Sequence, residues 1–405
     1  MMIEYKLKDI LRFHNGRTYD SINKEGAIPI YGSGGIMGYT DKPLLDGEFL
    51  LLPRKGSLNN YFYTDKPFWN VDTIYAANVI DKNVDCKYLY YYVKCLNLEN
   101  LDSGSTLPSM TQSAYGSINV NLPSYDTQKT VSDFLTNIDN KILVDSKIIR
   151  TSEKLMREIY DYWFAQFDFP DENGRPYKSS GGEMVYNETL KREIPKGWRV
   201  ESLANCVSKE KNAIVDGPFG TQMKIGDYVE SGVPIYEMDQ LNGAFITRDS
   251  GHYITEQKYE EVKRSTVKNG DIIISKTGTL GLLGLVRSKY EKGIIVSRLA
   301  KITPNPNIIG KYALLIYLGK LTEGGYWLNM CGGSTMPILN NSVIGGTKII
   351  IPDSDLYQQF EAIAEPLYEQ IYNLQLETQK LVSLRDWLLP MLMNGQVRLE
   401  EKTNE

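Results

Sequence analysis

At 405 residues the chain is too long for one ordinary core and fits two domains with connecting material, for which its 42% hydrophobic content is sufficient. Two histidines and four scattered cysteines without a CxxC pair leave little material for metal sites, Ser/His/Asp triads or a disulfide framework, and the cysteines are expected to be buried thiols. The net charge is −5, no apolar run approaches the ~18 to 20 residues of a membrane span, and no cleavable N-terminal segment is visible, which predicts a cytoplasmic protein.

The charge is unevenly spread. Residues 1–122, 123–170, 171–350 and 351–405 carry −1, −2, +4 and −6, so the mildly basic third region permits phosphate contacts despite the acidic total.

In chain order, the first landmark is IPIY at 28–31, followed by GSGG at 32–35, a lone glycine cluster without a dinucleotide-binding pattern. GEFLLLPRKGS, starting at Gly47, predicts a strand entering a loop. That loop, PRKGSLNNYFY at 53–63, offers Arg54 and Lys55 for phosphates or guanine edges and Asn59 and Asn60 for adenine edges. YLYYYV at 88–93 predicts a packed helix face rather than a base-stacking platform. GSTLPSM follows at 104–110 and NLPS at 121–124.

Beyond NLPS the text turns helical. Val131, Leu135, Ile138, Ile142, Ile149, Met156 and Ile159 form a stripe at 3-4 spacing, as in a coiled-coil seam. A spacer helix is expected within 126–166, and a helical run of about 35 residues there would be roughly 50 Å long at 1.5 Å per residue. Residues 167–189 are rich in Gly, Pro, Ser and charge and predict a linker.

The landmarks then return in the same order. VPIY stands at 233–236, GDIIISKTGT starts at Gly270, YALLIY spans 312–317, GSTMPIL 333–339 and IIPD 350–353. From Gly104 onward the two copies stand 229 residues apart, while upstream the spacing drifts, so the fronts of the copies differ and their rear portions are in register. A second stripe, including Phe360, Leu367, Ile371, Leu374 and Leu381, predicts a partner helix over 354–395 with a tail at 396–405. Leu135, Ile138, Ile142, Leu367, Ile371 and Leu374 are expected to pair the two helices, with Pro366 kinking the second or delaying its regular part. The order is globular, helix, globular, helix.

Catalytic chemistry is poorly represented. GDIIISKT at 270–277 resembles a phosphate-binding loop but has Ser275 where a glycine must let the backbone wrap a phosphate. Glu261 and Lys263 have a nuclease-like local spacing without a matching upstream aspartate, and no methyltransferase motif is present. Polar loop residues in the second half are Gln222, Lys224, Gln240, Asn242, Lys276, Thr277, Thr279 and Arg298. Each alone reads equally as a solvated loop side chain; as a set on equivalent loops they suggest binding. Thr106 and Thr335, in the two GST stretches, are candidate phosphate contacts or simply loop-shaping hydroxyls.

WFAQFDFPDENGRPYKSSGGEMVYNETLKREIPKGW at 163–198, GPFGTQMK at 217–224 and the paired LPS and IPD endings resemble the DNA-specificity subunit of Type I restriction-modification enzymes, and the resemblance covers essentially the whole chain. IPIYGSGGIMGY with its following RKGS is similar to the first recognition domain of such subunits, which adds Tyr31, Ser33 and Ser57 to the expected DNA contacts. Tyr236 departs from the pattern, since many relatives carry an arginine there.

The resemblance implies an α+β fold with an internal pseudo-twofold repeat: two mixed α/β target-recognition domains, over 1–125 and 190–353, joined by two long antiparallel coiled-coil helices. It implies double-stranded DNA as ligand, each domain reading part of a split, asymmetric site. It also implies two methyltransferase subunits docked on the helices and restriction/translocase subunits in the full complex. S-adenosylmethionine, ATP and magnesium would belong to those partners, and this chain would be non-catalytic. The competing expectations are a tandem-domain scaffold binding protein or glycan, and a fused nuclease-methyltransferase, which the missing motifs disfavour.

Overall fold

The computed structural model describes residues 2–19, 26–96, 98, 108–331 and 337–399. Thr106, Thr335 and the GST triplets lie outside the described residues. The chain divides into two compact units, Met1–Leu143 with Lys380–Glu405, and Val144–Gln379, so each long helix contributes to both.

In the first unit, β1 (Ile3–Lys6) leads through a single turn, α1 (Leu7–Ile10), to β2 (Leu11–His14). β3 (Ile28–Gly32) and β4 (Gly35–Thr40) form a hairpin, followed by β5 (Phe49–Pro53), β6 (Phe62–Thr64), β7 (Trp69–Asn70) and β8 (Ile74–Val79). Helices α2 (Cys86–Lys94) and α3 (Gln112–Gly116) precede β9 (Asn119–Leu122) and the long α4 (Tyr125–Tyr160). The sheets run β2-β8-β5-β6, β4-β3-β7 and β1-β9.

β5 reads FLLLP because it is covered on both faces. Leu50 and Leu52 enter the main core with Tyr75, Tyr88, Leu89 and Tyr115, while Phe49 and Leu51 pack with Phe68 and Ile74 on the other side. The YLYYYV segment is the packed helix α2, with Tyr88, Leu89, Tyr91 and Val93 buried. Asp85 caps it by accepting from the Tyr88 amide at 2.7 Å.

In the second unit a hairpin of β10 (Met184–Asn187) and β11 (Arg192–Pro195) comes first, then β12 (Arg199–Ser202), α5 (Leu203–Cys206), β13 (Ile214–Asp216), β14 (Tyr228–Val229) and β15 (Val233–Tyr236). They are followed by β16 (Phe245–Ile246), β17 (Tyr253–Ile254), α6 (Glu256–Val262), β18 (Thr266–Val267), β19 (Ile272–Ser275), β20 (Leu283–Val286), β21 (Gly293–Ile295) and β22 (Leu299–Ile302). The unit closes with α7 (Lys311–Glu323), α8 (Tyr326–Met330), α9 (Asn341–Gly346), β23 (Lys348–Ile351) and α10 (Leu356–Met393). Its sheets are β13-β22-β19-β20-β16, β14-β17-β15-β21-β18 and β12-β23.

The strand pairings of the two units match residue by residue. Pro53 opposes Ile74 as Ser275 opposes Leu299, and Leu50 opposes Ala77 as Ile272 opposes Ile302. Parallel pairing of Ile30 with Trp69 recurs as Ile235 with Ile294, and β1-β9 recurs as β12-β23. The repeat inferred from landmarks is therefore a repeat of topology. The second copy is enlarged at its front, where β14, β16 and α6 are added, while β17 pairs with β15 as β4 does with β3 and β18 lies beside β21 as Leu45 lies beside Phe68.

The helices pack antiparallel inside each unit. In the first, Arg385 of α10 donates to Asp139 of α4 at 2.8 Å, and Val131 and Leu135 share a core with Leu388, Leu389 and Leu392. In the second, Phe164 stacks on Tyr357 at 4.6 Å and Tyr160 meets Phe360 at 5.9 Å. The seam residues thus double as domain core. Leu135, Ile138 and Ile371 are buried, and Ile142, Leu367 and Leu374 are half-buried.

Several expectations need correction. Pro366 does not delay α10, which is helical from Leu356 through Met393; the proline and Ala362, whose carbonyl it frees, are exposed, so water serves that carbonyl. Residues 167–189 are not a bare linker. Asp168 accepts from the Ser179 amide and hydroxyl, both at 2.7 Å, and Phe169 stacks on Tyr177 at 4.7 Å and on Trp198 at 5.1 Å. Among the cysteines, Cys86 and Cys206 are buried, but Cys95 is exposed and Cys331 intermediate.

At the start of α7, Glu361 accepts from the Tyr312 and Ala313 amides at 3.0 and 2.9 Å. Burial outweighs these amides and pushes its carboxyl up to about 7. A folded-state value above the unfolded one means the contribution to stability is full below the ordinary carboxylate range and is lost as pH rises through about 7. Glu361→Gln keeps an acceptor and cannot ionise. Between pH 6 and 9 its unfolding free energy should fall less than that of the unsubstituted protein, by about 1.4 kcal/mol, in urea titrations at each pH.

Candidate nucleic-acid interface

Strand ends, not strand faces, gather the polar residues of the first unit. The loop after β5 turns at Gly56, whose φ of +85° favours glycine. Arg54 N donates to Thr73 O at 2.8 Å, and Met110 N donates to Arg54 O at 2.9 Å. These bonds hold the Arg54–Gly56 loop between the turn before β8 and the chain that leads to α3. The Asn60 amide donates to Ser33 O at 3.0 Å, so the tip of the β3-β4 hairpin joins the same rim.

Lys55, Ser57, Asn59 and Asn60 are exposed there, with Ser33 and Arg54 half-covered. Arg54 reaches the Asp72 carbonyl at 3.4 Å and lies 5.8 Å from the centre of the Tyr75 ring, which stiffens its stem and leaves most of its donors free. Tyr31 packs between Phe62 and Phe68, ring centres 5.8 and 6.2 Å away, and burial raises its hydroxyl above the usual tyrosine value; it supports the rim from below.

The second unit builds the same rim with the same bonds. Lys276 N donates to Arg298 O at 2.8 Å and Leu339 N donates to Lys276 O at 2.9 Å. Gly278, at φ +70°, takes the place of Gly56. Met110 and Leu339 are 229 residues apart, the spacing of the GST stretches in the sequence, so equivalent residues pin each rim.

The side chains on this shared backbone differ. Lys276 corresponds to Arg54, yet it is buried and its ammonium sits 2.5 Å from Asp216. A lysine so committed cannot also bind a phosphate, so it is removed from the DNA-contact set and reassigned as the post that ties β13 to β19. The exposed cation is instead Arg298, at the position of Thr73 in the first unit.

Gln240 is likewise removed. It is 2% exposed, accepts from the Glu237 amide at 2.7 Å and donates to Arg248 O at 2.5 Å, closing a short turn. Thr277 is half-covered, and Thr279, Gln222 and Lys224 are exposed. Asn242 is exposed beside Gly243, whose backbone lies against Gln375 of α10. Tyr236, where an arginine was expected, is buried at the end of β15.

Sequence reasoning overlooked Asp216, Asp72 and Thr73. No helix is long and apolar enough to cross a membrane among the described residues.

The family model described as the Type I restriction modification DNA specificity domain matches residues 2–151 and 210–385, which are the two copies seen in the topology. The Type I restriction enzyme MjaIX specificity subunit of Methanocaldococcus jannaschii is 31% identical, over 98% of this chain and 93% of its own length. The HindI specificity subunit of Haemophilus influenzae is 22% identical, over 89% of each chain. Among solved structures, the S subunit of a Type I restriction-modification system from M. genitalium superposes with a TM-score of 0.65 at 19% identity, covering 99% of this chain and 97% of its own.

Proposed function

This chain belongs to the family of DNA-specificity subunits of Type I restriction-modification enzymes, and we propose that each of its units reads one part of a bipartite, asymmetric DNA target. It is the non-catalytic, sequence-recognising member of its complex. The observation that supports the split target is the doubly built rim: matching backbone bonds hold the loop with Arg54, Lys55, Asn59 and Asn60 in one unit and the loop with Thr277 and Thr279 beside Arg298 in the other, where Gln222 and Lys224 stand on a neighbouring loop. One scaffold with two sets of donors and acceptors is suited to two different half-sites.

The partners in this proposal are two methyltransferase subunits, held one per repeat, with restriction/translocase subunits completing the assembly. S-adenosylmethionine, ATP and magnesium are held by those partners. The helices offer matching places: Leu155 on α4 and Leu384 on α10 are 229 residues apart and are 44% and 42% exposed. An exposed leucine at the same position of each repeat fits two copies of one partner on two equivalent faces.

The test is native mass spectrometry of the co-expressed complex. Leu155→Asp or Leu384→Asp alone should leave one methyltransferase copy bound, each interface weakened roughly a hundredfold by the buried charge, and the double variant should leave none. Two copies retained in the double variant would place the docking surface elsewhere.

A further inference from the structure

Two apolar side chains of the second unit face solvent on one short loop. Phe219 is 61% and Ile225 85% exposed, between Gly217 and Gly226. The loop is rigidly built. Gln222 N and Met223 N donate to Phe219 O at 2.8 and 3.2 Å, and the Gln222 side chain accepts from Phe219 N at 3.2 Å. Lys224 N donates to the Asp227 carboxylate at 2.7 Å. Met223, between the two exposed residues, is buried with Val233, Ile235, Ile254 and Tyr259 and anchors the loop.

The root of this loop is part of the rim. Gly217 N donates to Leu299 O at 3.1 Å, and a Cβ at Gly217 would fall 2.1 Å from Val296 O, so the loop starts pressed against the turn that carries Arg298. The preceding residue, Asp216, holds Lys276. Gln222 and Lys224 are exposed on the same loop, which gives it an apolar tip with polar and cationic flanks. Exposed apolar side chains on a braced backbone beside free cations suit a ligand with stacked apolar faces edged by phosphates, which is duplex DNA.

We propose that this loop is an apolar wedge: Phe219 and Ile225 press into a groove of the duplex at the half-site held by the second unit, against base and sugar faces, while Lys224 and Arg298 meet the adjacent phosphates. The proposal rests on the DNA-reading function argued above. Neither side chain has a hydrogen-bonding group with which to tell one base edge from another. The wedge therefore adds affinity and bends the duplex, and whatever sequence preference it carries comes through thymine-methyl contact and the ease of bending rather than through hydrogen bonds.

The experiment uses the full chain co-purified with its methyltransferase partner and a fluorescein-labelled duplex carrying the motif that the unsubstituted complex methylates. The Phe219→Ala/Ile225→Ala double variant should bind about 30-fold more weakly, methylate the same motif more slowly, and keep its full complement of methyltransferase. Phe219→Leu, which keeps an apolar group, should stay within about threefold of the unsubstituted complex. Binding by the double variant within twofold would overturn the wedge, as would loss of methyltransferase from the complex, which would make the loop a protein contact. If the unsubstituted complex methylates no split motif, the DNA-reading function itself fails, a result separate from either of these.

Discussion

Asp216→Ala should unfold the second unit about 3 kcal/mol more easily than the unsubstituted protein. The Lys276 ammonium, 8% exposed, would lose the carboxylate 2.5 Å away and keep its burial, and an uncompensated buried charge is among the costliest single lesions a fold can carry. Trp163, Trp198 and Trp327 lie in this unit and Trp69 and Trp387 in the other, so tryptophan fluorescence in a urea titration, read with Trp69→Phe and Trp387→Phe in the background, reports its transition. Removing both partners, as Asp216→Ala/Lys276→Met, should recover most of the loss, because the penalty belongs to the orphaned charge and not to the absence of the pair. A loss under about 0.5 kcal/mol in the single variant would mean that Lys276 reaches solvent and is not the internal post described above.

Arg54→Ala/Lys55→Ala should weaken DNA binding by the assembled complex between about tenfold and a hundredfold. Both residues stand on a loop held by backbone bonds to Thr73 and Met110, so their removal leaves the rim intact. Loss of two phosphate contacts should flatten the slope of log K against log salt by about 1.8. If Arg54 instead meets a guanine edge, the flattening is smaller and sequence preference relaxes in one half of the target only. Arg298→Ala should act on the other half. Unchanged affinity and an unchanged salt slope in the Arg54/Lys55 variant would remove this loop from the interface.

The helices were legible because their stripe, from Val131 to Met156, is set by local spacing, and Tyr125–Tyr160 and Leu356–Met393 follow it. The repeat was legible because IPIY returns as VPIY in the same order of landmarks and the residues from Gly104 onward recur at a constant 229; Ile30 and Ile235 then occupy the same place in their sheets. The commitments of single polar side chains were not legible. Lys276 finds its partner 60 residues upstream, and nothing in SKTGT distinguishes a buried lysine from a free one. Gln240 looks like a free amide in DQLNG until the short turn that it closes is seen. Composition misled at 167–189, where Gly, Pro and Asp build tight turns around Asp168 and Asp171 and the chain stays docked through Phe169 and Tyr177.

The central claim is that two units of one chain independently read two halves of one DNA target. Long-read mapping of methylated adenines in cells expressing this chain with its methyltransferase partner tests it most directly, when residues 1–125 or 190–353 are exchanged in turn for those of a relative. One split motif, with one half changing under each exchange and the other half kept, is the result predicted here. Methylation indifferent to both exchanges, or a motif whose two halves change together under either one, would contradict it.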